Sequence, residues 1–228
     1  MKKVLVGCPT SFHKEHSLKE YSESIKNLSY DNYDILLVDN SPDDNYLKKI
    51  KSFGLKVKKG PYFESARERI VFSRNILKDE AIKNYDYFLS LEQDVIPPKD
   101  IIERMLKWNK KAITGVYFAV NFYQGKHRLL PLIWVDFDKK TKKMFYLQDE
   151  RLWHNELIEI SACGIGCILI HKSILQKIKF RYDDNNPEGF DDVWFCKDLR
   201  EKGIKLYCDT SIKCKHLIKD WSWKGIKL

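Results

Sequence analysis

The sequence predicts an α/β protein built on a doubly wound, mostly parallel sheet, and two observations carry that expectation. Through the first half of the chain, short continuous apolar runs alternate with amphipathic helical segments. That alternation marks strands buried on both faces by crossover helices. The apolar runs also end in polar residues and turn formers: Pro9-Thr10, Asp39-Asn40-Ser41 and Glu92-Gln93-Asp94. Open sheets of this kind bind ligands outside the carboxyl ends of their strands.

Val4-Leu5-Val6-Gly7-Cys8 reads as the first buried strand, broken by Pro9-Thr10-Ser11. Residues 16–29 place Leu18, Tyr21, Ile25 and Leu28 at helical spacing. Asp34–Asp39 is a second strand, closed by the turn Asn40-Ser41-Pro42-Asp43-Asp44. A short helix over 44–52 and a short strand over Leu55–Lys58 follow. Residues 64–84 carry a long helical pattern that includes Ile70, Ile76, Leu77 and Ile82, and 86–91 is the next strand. The second half is less regular. A helix over 99–110 leads to a strand over Ala112–Val120, and residues 121–156 hold polar loops rich in aromatics. A strand pair is expected there, Leu130–Phe137 with Lys143–Leu147, joined by the turn Asp138–Lys142. Ile158–Ile170 is small and apolar. A helix is expected from Asp191 to Lys202 with Gly203 as its C-cap, then a strand over Ile204–Cys208. No internal repeat, linker or domain boundary is evident, so one domain over 1–228 is expected.

With 43% hydrophobic and 32% charged residues, the 228-residue chain is a folded globular protein and not a disordered one. Its 41 basic and 32 acidic residues give +9, which favours an anionic partner such as a nucleotide, a nucleic acid or an acidic membrane surface. Lysine usage for solubility is the plainer reading of the same charge. Cys8, Cys163, Cys167, Cys196, Cys208 and Cys214 form no C-x-x-C pair. They read as buried free thiols in a reducing compartment, and the ligand spacing of a zinc site is missing. The start, MKKVLVGCPT, has too short an apolar stretch for a signal peptide, and no run approaches a membrane span of about 18 residues. A cytoplasmic protein is expected, at most peripheral to the inner face of a membrane.

Three clusters carry chemistry. Glu92 and Asp94 stand one residue apart at a strand end, where they share one side and can converge on one ion. Oxygen ligands suit Mg²⁺ or Mn²⁺, which also hold substrate phosphates. The structural alternative has Asp94 capping the next helix and Glu92 as a solvated loop acid. Asp191 and Asp192 open a helix, and Asp192 is expected on the inward face with Phe195, Cys196 and Leu199. A carboxylate at the edge of a core can serve as a general base toward a hydroxyl, whereas simple N-capping by Asp191 is the bland reading. His216 is a lone histidine, more often structural, but beside an acid-x-acid site it is a candidate third metal ligand.

The order Pro9-Thr10, Val38-Asp39-Asn40-Ser41, Ser73-Arg74-Asn75, Glu92-Gln93-Asp94, Asp191-Asp192 and His216 resembles a GT-A glycosyltransferase of family 2, over residues 4–216. Ser11-Phe12-His13, Glu92 and Asp191 depart from that family's usual residues. The resemblance implies a nucleotide-sugar-binding half over 1–98 and an acceptor-binding, catalytic half over 99–228. It implies donor binding by Pro9, Thr10, Asp39, Asn40, Arg74 and Gln93, with Thr10 and Asp39 on the base and ribose and Arg74 near the phosphates. Asp94 would ligate Mn²⁺ or Mg²⁺, with Glu92 and His216 in support. Asp192, or else Asp191, would be the base of an inverting transfer. Trp134, Trp153 and Phe190 would shape the acceptor pocket. The donor would be a UDP or GDP sugar, the acceptor a saccharide, lipid or protein.

Two other functions fit the sequence less well. A nucleotidyltransferase normally carries a glycine-rich phosphate loop near strand one, and GCPTSFHKEH has only Gly7. A module binding nucleic acid or an anionic membrane would use the positive charge and the tail Trp221-Ser222-Trp223-Lys224. No RNA-binding or helix-turn-helix pattern accompanies them, so a nucleic-acid partner is disfavoured.

Overall fold

The computed structural model describes residues 1–123, 125–141, 143–185 and 189–219. The tail Trp221-Ser222-Trp223-Lys224, Lys142 of the expected turn, and part of the loop 181–190 lie outside the described residues. The first apolar run is β1 (Val4–Gly7), buried at every position, and Pro9–Thr10 resume as β2. A 3₁₀ turn over Phe12–Ser17 enters α1 (Leu18–Lys26), which buries Leu18, Tyr21 and Ile25. The expected second strand divides into β3 (Tyr33–Ile35) and β4 (Leu37–Asp39), followed by α2 (Asn45–Ser52) and β5 (Val57–Lys59). Ser65 caps α3 (Ala66–Asn84) by accepting from the Glu68 N–H, the two ends of an S-x-x-E start signal. β6 (Tyr87–Leu91) is again wholly buried, and β7 (Val95–Ile96) follows Asp94.

The later elements differ more from expectation. α4 (Ile101–Leu106) stops short of the expected residue 110, because Asn109 turns the backbone left-handed at φ 49°. The expected strand 112–120 becomes β8 (Ala112–Val116) and β9 (Phe118–Tyr123). β9 then pairs antiparallel with β10 (Lys126–Pro131), a hairpin that the sequence pattern does not predict. Gly125, at φ 79°, makes its turn. The expected strand pair survives in shorter form as β11 (Ile133–Val135) and β12 (Phe145–Tyr146). After α5 (Asp149–Leu152) come β13 (Leu157–Ile160), β14 (Ala162–Cys163), β15 (Cys167–His171) and α6 (Lys172–Leu175). α7 (Asp191–Glu201) ends at Gly203, φ 64°, as expected of a glycine C-cap, and β16 (Leu206–Lys213) and β17 (Lys215–His216) complete the described elements.

Seven strands form one sheet in the order β13-β16-β8-β15-β6-β1-β3. β3, β1, β6, β8 and β16 run one way, and β15 and β13 run against them. The alternation along each strand feeds two cores. Leu5, Phe88, Ile168 and Ile170 face α3, α6 and α7, while Val4, Val6, Leu89 and Leu169 face α1, α2 and α4. All six cysteines are buried free thiols, with the Cys167 and Cys214 sulfurs 3.4 Å apart. Among the described residues no helix is long and apolar enough to cross a membrane.

The winding fixes where a site can form. From β1 the chain moves out to β3 on one side and returns through α3 to β6 on the other side of β1. The strand order therefore reverses between β1 and β6, and a crevice opens past their carboxyl ends. Pro9-Thr10 and Glu92-Gln93-Asp94 stand at that crevice. Gly7 permits the close approach of its neighbour, since a Cβ there would collide with the Leu36 carbonyl.

Candidate active site

The three residues after β6 fan out to three different partners. Gln93 turns inward. Its Oε1 accepts from Thr10 Oγ1 at 2.5 Å and Tyr46 Oη at 3.0 Å, and its Nε2 donates to the Lys14 carbonyl at 2.7 Å. It thus ties the end of β6 to the chain following β1. Asp39, the other strand-end acid, is fully buried. Its Oδ1 accepts from the Ser41 N–H and hydroxyl, and its Oδ2 pairs with Lys59 at 3.1 Å. Asn40 donates to Ser73 Oγ at 3.2 Å. Thr10, Asp39, Asn40 and Gln93 are therefore buried and hydrogen-bonded to one another's neighbours at the strand ends.

Asp94 is buried too, at 3% exposure. Its Oδ2 meets both the Lys14 ammonium and His216 Nε2, the latter at 3.2 Å. Burial pushes its carboxyl up, but the hydrogen bond from His216 and the Lys14 charge outweigh burial and hold it below the ordinary carboxylate range. His216 is held by β17, which pairs with β7. Its Nδ1 lies 2.7 Å from the Phe118 carbonyl oxygen, so the Nδ1 proton belongs there and Nε2 is directed at Asp94. Burial lowers its pKa, yet Asp94 raises it to a net upward shift. Asp94 Oδ1 is buried with no hydrogen-bond partner, which is costly for a carboxylate and leaves an oxygen suited to a cation. Among the described residues no cluster of three or more His, Cys, Asp or Glu is poised around one point. An oxygen from Asp94 and a nitrogen from His216 nevertheless suit Mn²⁺ or Mg²⁺ completed by phosphate oxygens.

Glu92 faces elsewhere, toward Arg74. That arginine is 1% exposed. Its Nε donates to Asp191 Oδ2 at 2.5 Å, one Nη to Ser90 Oγ at 2.6 Å and the other to Glu92 Oε1 at 3.2 Å. These three bonds tie the guanidinium to Asp191, Ser90 and Glu92 and join β6 to the start of α7. The expected facing of α7 is corrected. Asp191 is the buried member, at 4% exposure, because Arg74 awaits it. Asp192 stays half-buried and accepts the Val193 N–H at 2.8 Å. Burial, and next the charge of Asp191, push its carboxyl up to about 6.

Glycines let the walls close on this row. Gly166 donates its N–H to Tyr117 Oη at 3.0 Å, and its carbonyl accepts from the Glu92 N–H at 2.9 Å. A Cβ on Gly166 would lie 2.8 Å from Tyr117 Oη and 3.2 Å from Glu92 Oε2. Gly166→Ala is therefore expected to lose about 1–3 kcal/mol in urea denaturation, since the buried Tyr117 ring cannot give way.

Beside Asp192 a cleft of about 960 Å³ runs along α7. Trp134, Phe137, Val193 and Trp194 are among its lining residues, with the Arg200 guanidinium 4.6 Å from the Phe137 ring. Trp134 lines this cleft and packs on Tyr146 with ring centroids 5.1 Å apart. Phe190 is exposed just before Asp191. Trp153 lies outside the cleft lining, under the Lys213 ammonium at 4.6 Å. A second hollow of about 310 Å³, lined by Phe12, Pro42, Asp43 and Tyr46 among others, adjoins the Asp39 turn. Sequence reasoning missed Lys14, Lys59 and Tyr117. Only Lys14 left a trace, as a cation four residues after Thr10.

The architecture is that of the GT-A glycosyltransferases. It superposes on a crystal structure of GalNAc-T7 with UDP, GalNAc and Mn²⁺ at a TM-score of 0.68 and 14% identity. The match covers 99% of this chain and 46% of that one, so the chain spans about half the length of that protein. It also superposes on A197 from STIV, at a TM-score of 0.52 and 17% identity, over 95% of this chain and 86% of that one. At these identities the likeness concerns the fold. The chain belongs to glycosyl transferase family 2, whose sequence model matches residues 9–179. No curated protein matches it.

Proposed function

We propose that the protein transfers a sugar from a nucleotide-diphosphate sugar to an acceptor hydroxyl, with inversion and with Asp192 as the base. The observation that carries this is Asp192 itself: a half-buried carboxylate on the wall of the cleft, its pKa raised to about 6. Such a group is ionised at neutral pH yet basic enough to take a proton from a hydroxyl as it attacks. The acceptor oxygen bonds to the anomeric carbon on the face opposite the diphosphate, and the bond from that carbon to the phosphate oxygen breaks. Asp192 receives the hydroxyl proton. Asp191 does not compete for this role, because Arg74 holds its carboxylate.

A divalent ion held by Asp94 and His216 would neutralise charge building on the departing diphosphate. The net charge of +9 favours the same anionic donor. The apolar wall of Trp134, Phe137 and Trp194 favours an acceptor that presents a flat apolar face, as a sugar ring does. The hollow beside Phe12 and Tyr46 has room for a nucleobase.

Melting with UDP or GDP, with and without Mn²⁺, tests the donor half. One diphosphate should raise Tm only when Mn²⁺ is present, and Asp94→Asn should remove the shift. No shift with any nucleoside diphosphate would overturn the reading.

A further inference from the structure

The Lys14 ammonium sits on Asp94 Oδ2, beside the unpartnered Oδ1 that is suited to a cation. Its position is built and not incidental. The Lys14 carbonyl accepts from Gln93 Nε2 and from Ser17 Oγ, both at 2.7 Å, and its N–H donates to the Ser11 carbonyl at 2.9 Å. The residue beside Asp94 therefore anchors the turn that carries the cation for Asp94. The two partners differ in freedom. The Lys14 side chain is 39% exposed and can swing into solvent, whereas that of Asp94 is 5% exposed and cannot. Among the described residues no other lysine or arginine pairs with Asp94.

We propose that Lys14 is the resident counter-cation of Asp94, and that it sets the metal affinity of the site because a divalent ion reaches Asp94 fully only by displacing the ammonium. This rests on the metal-assisted reading above. Without metal, the lysine supplies a full charge to a buried carboxylate whose other partner is the His216 ring, and that offsets burial by more than the entropy of holding one side chain. A divalent ion meeting Oδ1 gains the whole carboxylate only when the ammonium leaves Oδ2, and the freed ammonium has solvent to receive it. Lys14 is thus a specificity-setting residue. It raises the concentration of free divalent ion at which the site fills.

Mn²⁺ binding to the full chain without nucleotide, read by the EPR signal of free Mn²⁺, tests this. Lys14→Met should bind Mn²⁺ about ten- to a hundredfold more tightly than wild type, the range spanned by loss of a competing charge-assisted bond. Lys14→Gln should tighten it likewise, which guards against a folding defect in either variant. Lys14→Arg should stay within about threefold of wild type, since it keeps the competing charge. Asp94→Asn should abolish binding in every background. Equal or weaker binding by both Lys14→Met and Lys14→Gln overturns the proposal. If those variants bind as wild type does and Asp94→Asn still abolishes binding, the metal site stands and only the role of Lys14 falls. If no variant binds Mn²⁺, the proposal and the metal-assisted reading fall together.

Discussion

Asp192→Asn is expected to lower kcat/KM by about 10²–10⁴-fold, the usual worth of a positioned general base. Nucleotide binding should persist, because in the proposed mechanism Asp192 acts on the acceptor hydroxyl and the diphosphate is held at Asp94. In wild type, kcat/KM should rise with pH through about 6 as Asp192 ionises, and the variant should lose that limb. Stability should move the other way. Asp192 holds its proton more tightly folded than unfolded. Its contribution is therefore fully present below the ordinary carboxyl range and is lost as pH rises through about 6. The ionised carboxylate is thus a standing cost at neutral pH, and the amide should leave Tm unchanged or raised. A variant that unfolds, or one that keeps its activity, would remove Asp192 from the mechanism.

Arg74→Met is expected to be the most destabilising single change, by about 3–5 kcal/mol in urea denaturation. The cost does not arise from a strong pair alone. It arises because Asp191 is left buried and charged with nothing opposite, while Ser90 and Glu92 lose their donor. Arg74→Lys should recover little of it, since a single ammonium cannot span three acceptors in a fixed fork. Pairing Arg74→Met with Asp191→Leu should recover much of it, because the stranded charge then goes too. Equal stability of the single and double variants would count against this account.

The sheet was legible in the sequence because its strands are continuous apolar runs with polar ends, and β1 and β6 fall where those runs do. Asp94 and His216 were legible as a pair because both sit at strand ends, and the structure brings them together. The facing of the two α7 acids was not. Helical spacing puts Asp192 on the inward stripe with Phe195, Cys196 and Leu199, yet Asp191 is the acid that is buried. The choice is made by a guanidinium arriving from α3, which no local pattern reports. The same holds for Asp39, whose lysine lies beyond a helix in sequence. The β9–β10 hairpin escaped because its strands are half-exposed and mixed in character, without a clean alternation to read.

The fan of partners around Glu92-Gln93-Asp94 also bears on how the protein reaches its native state. Lys14 and Asp94 are 80 residues apart in the chain, and Arg74 and Asp191 are 117 apart. No hairpin or single crossover unit can close either pair, so each must wait until distant strands have found their places. Long loops delay such closures. Refolding should therefore recover helical signal first and the capacity to hold a nucleotide last. A sheet that forms before α7 and β17 dock against it would have the fold's outline and no chemistry.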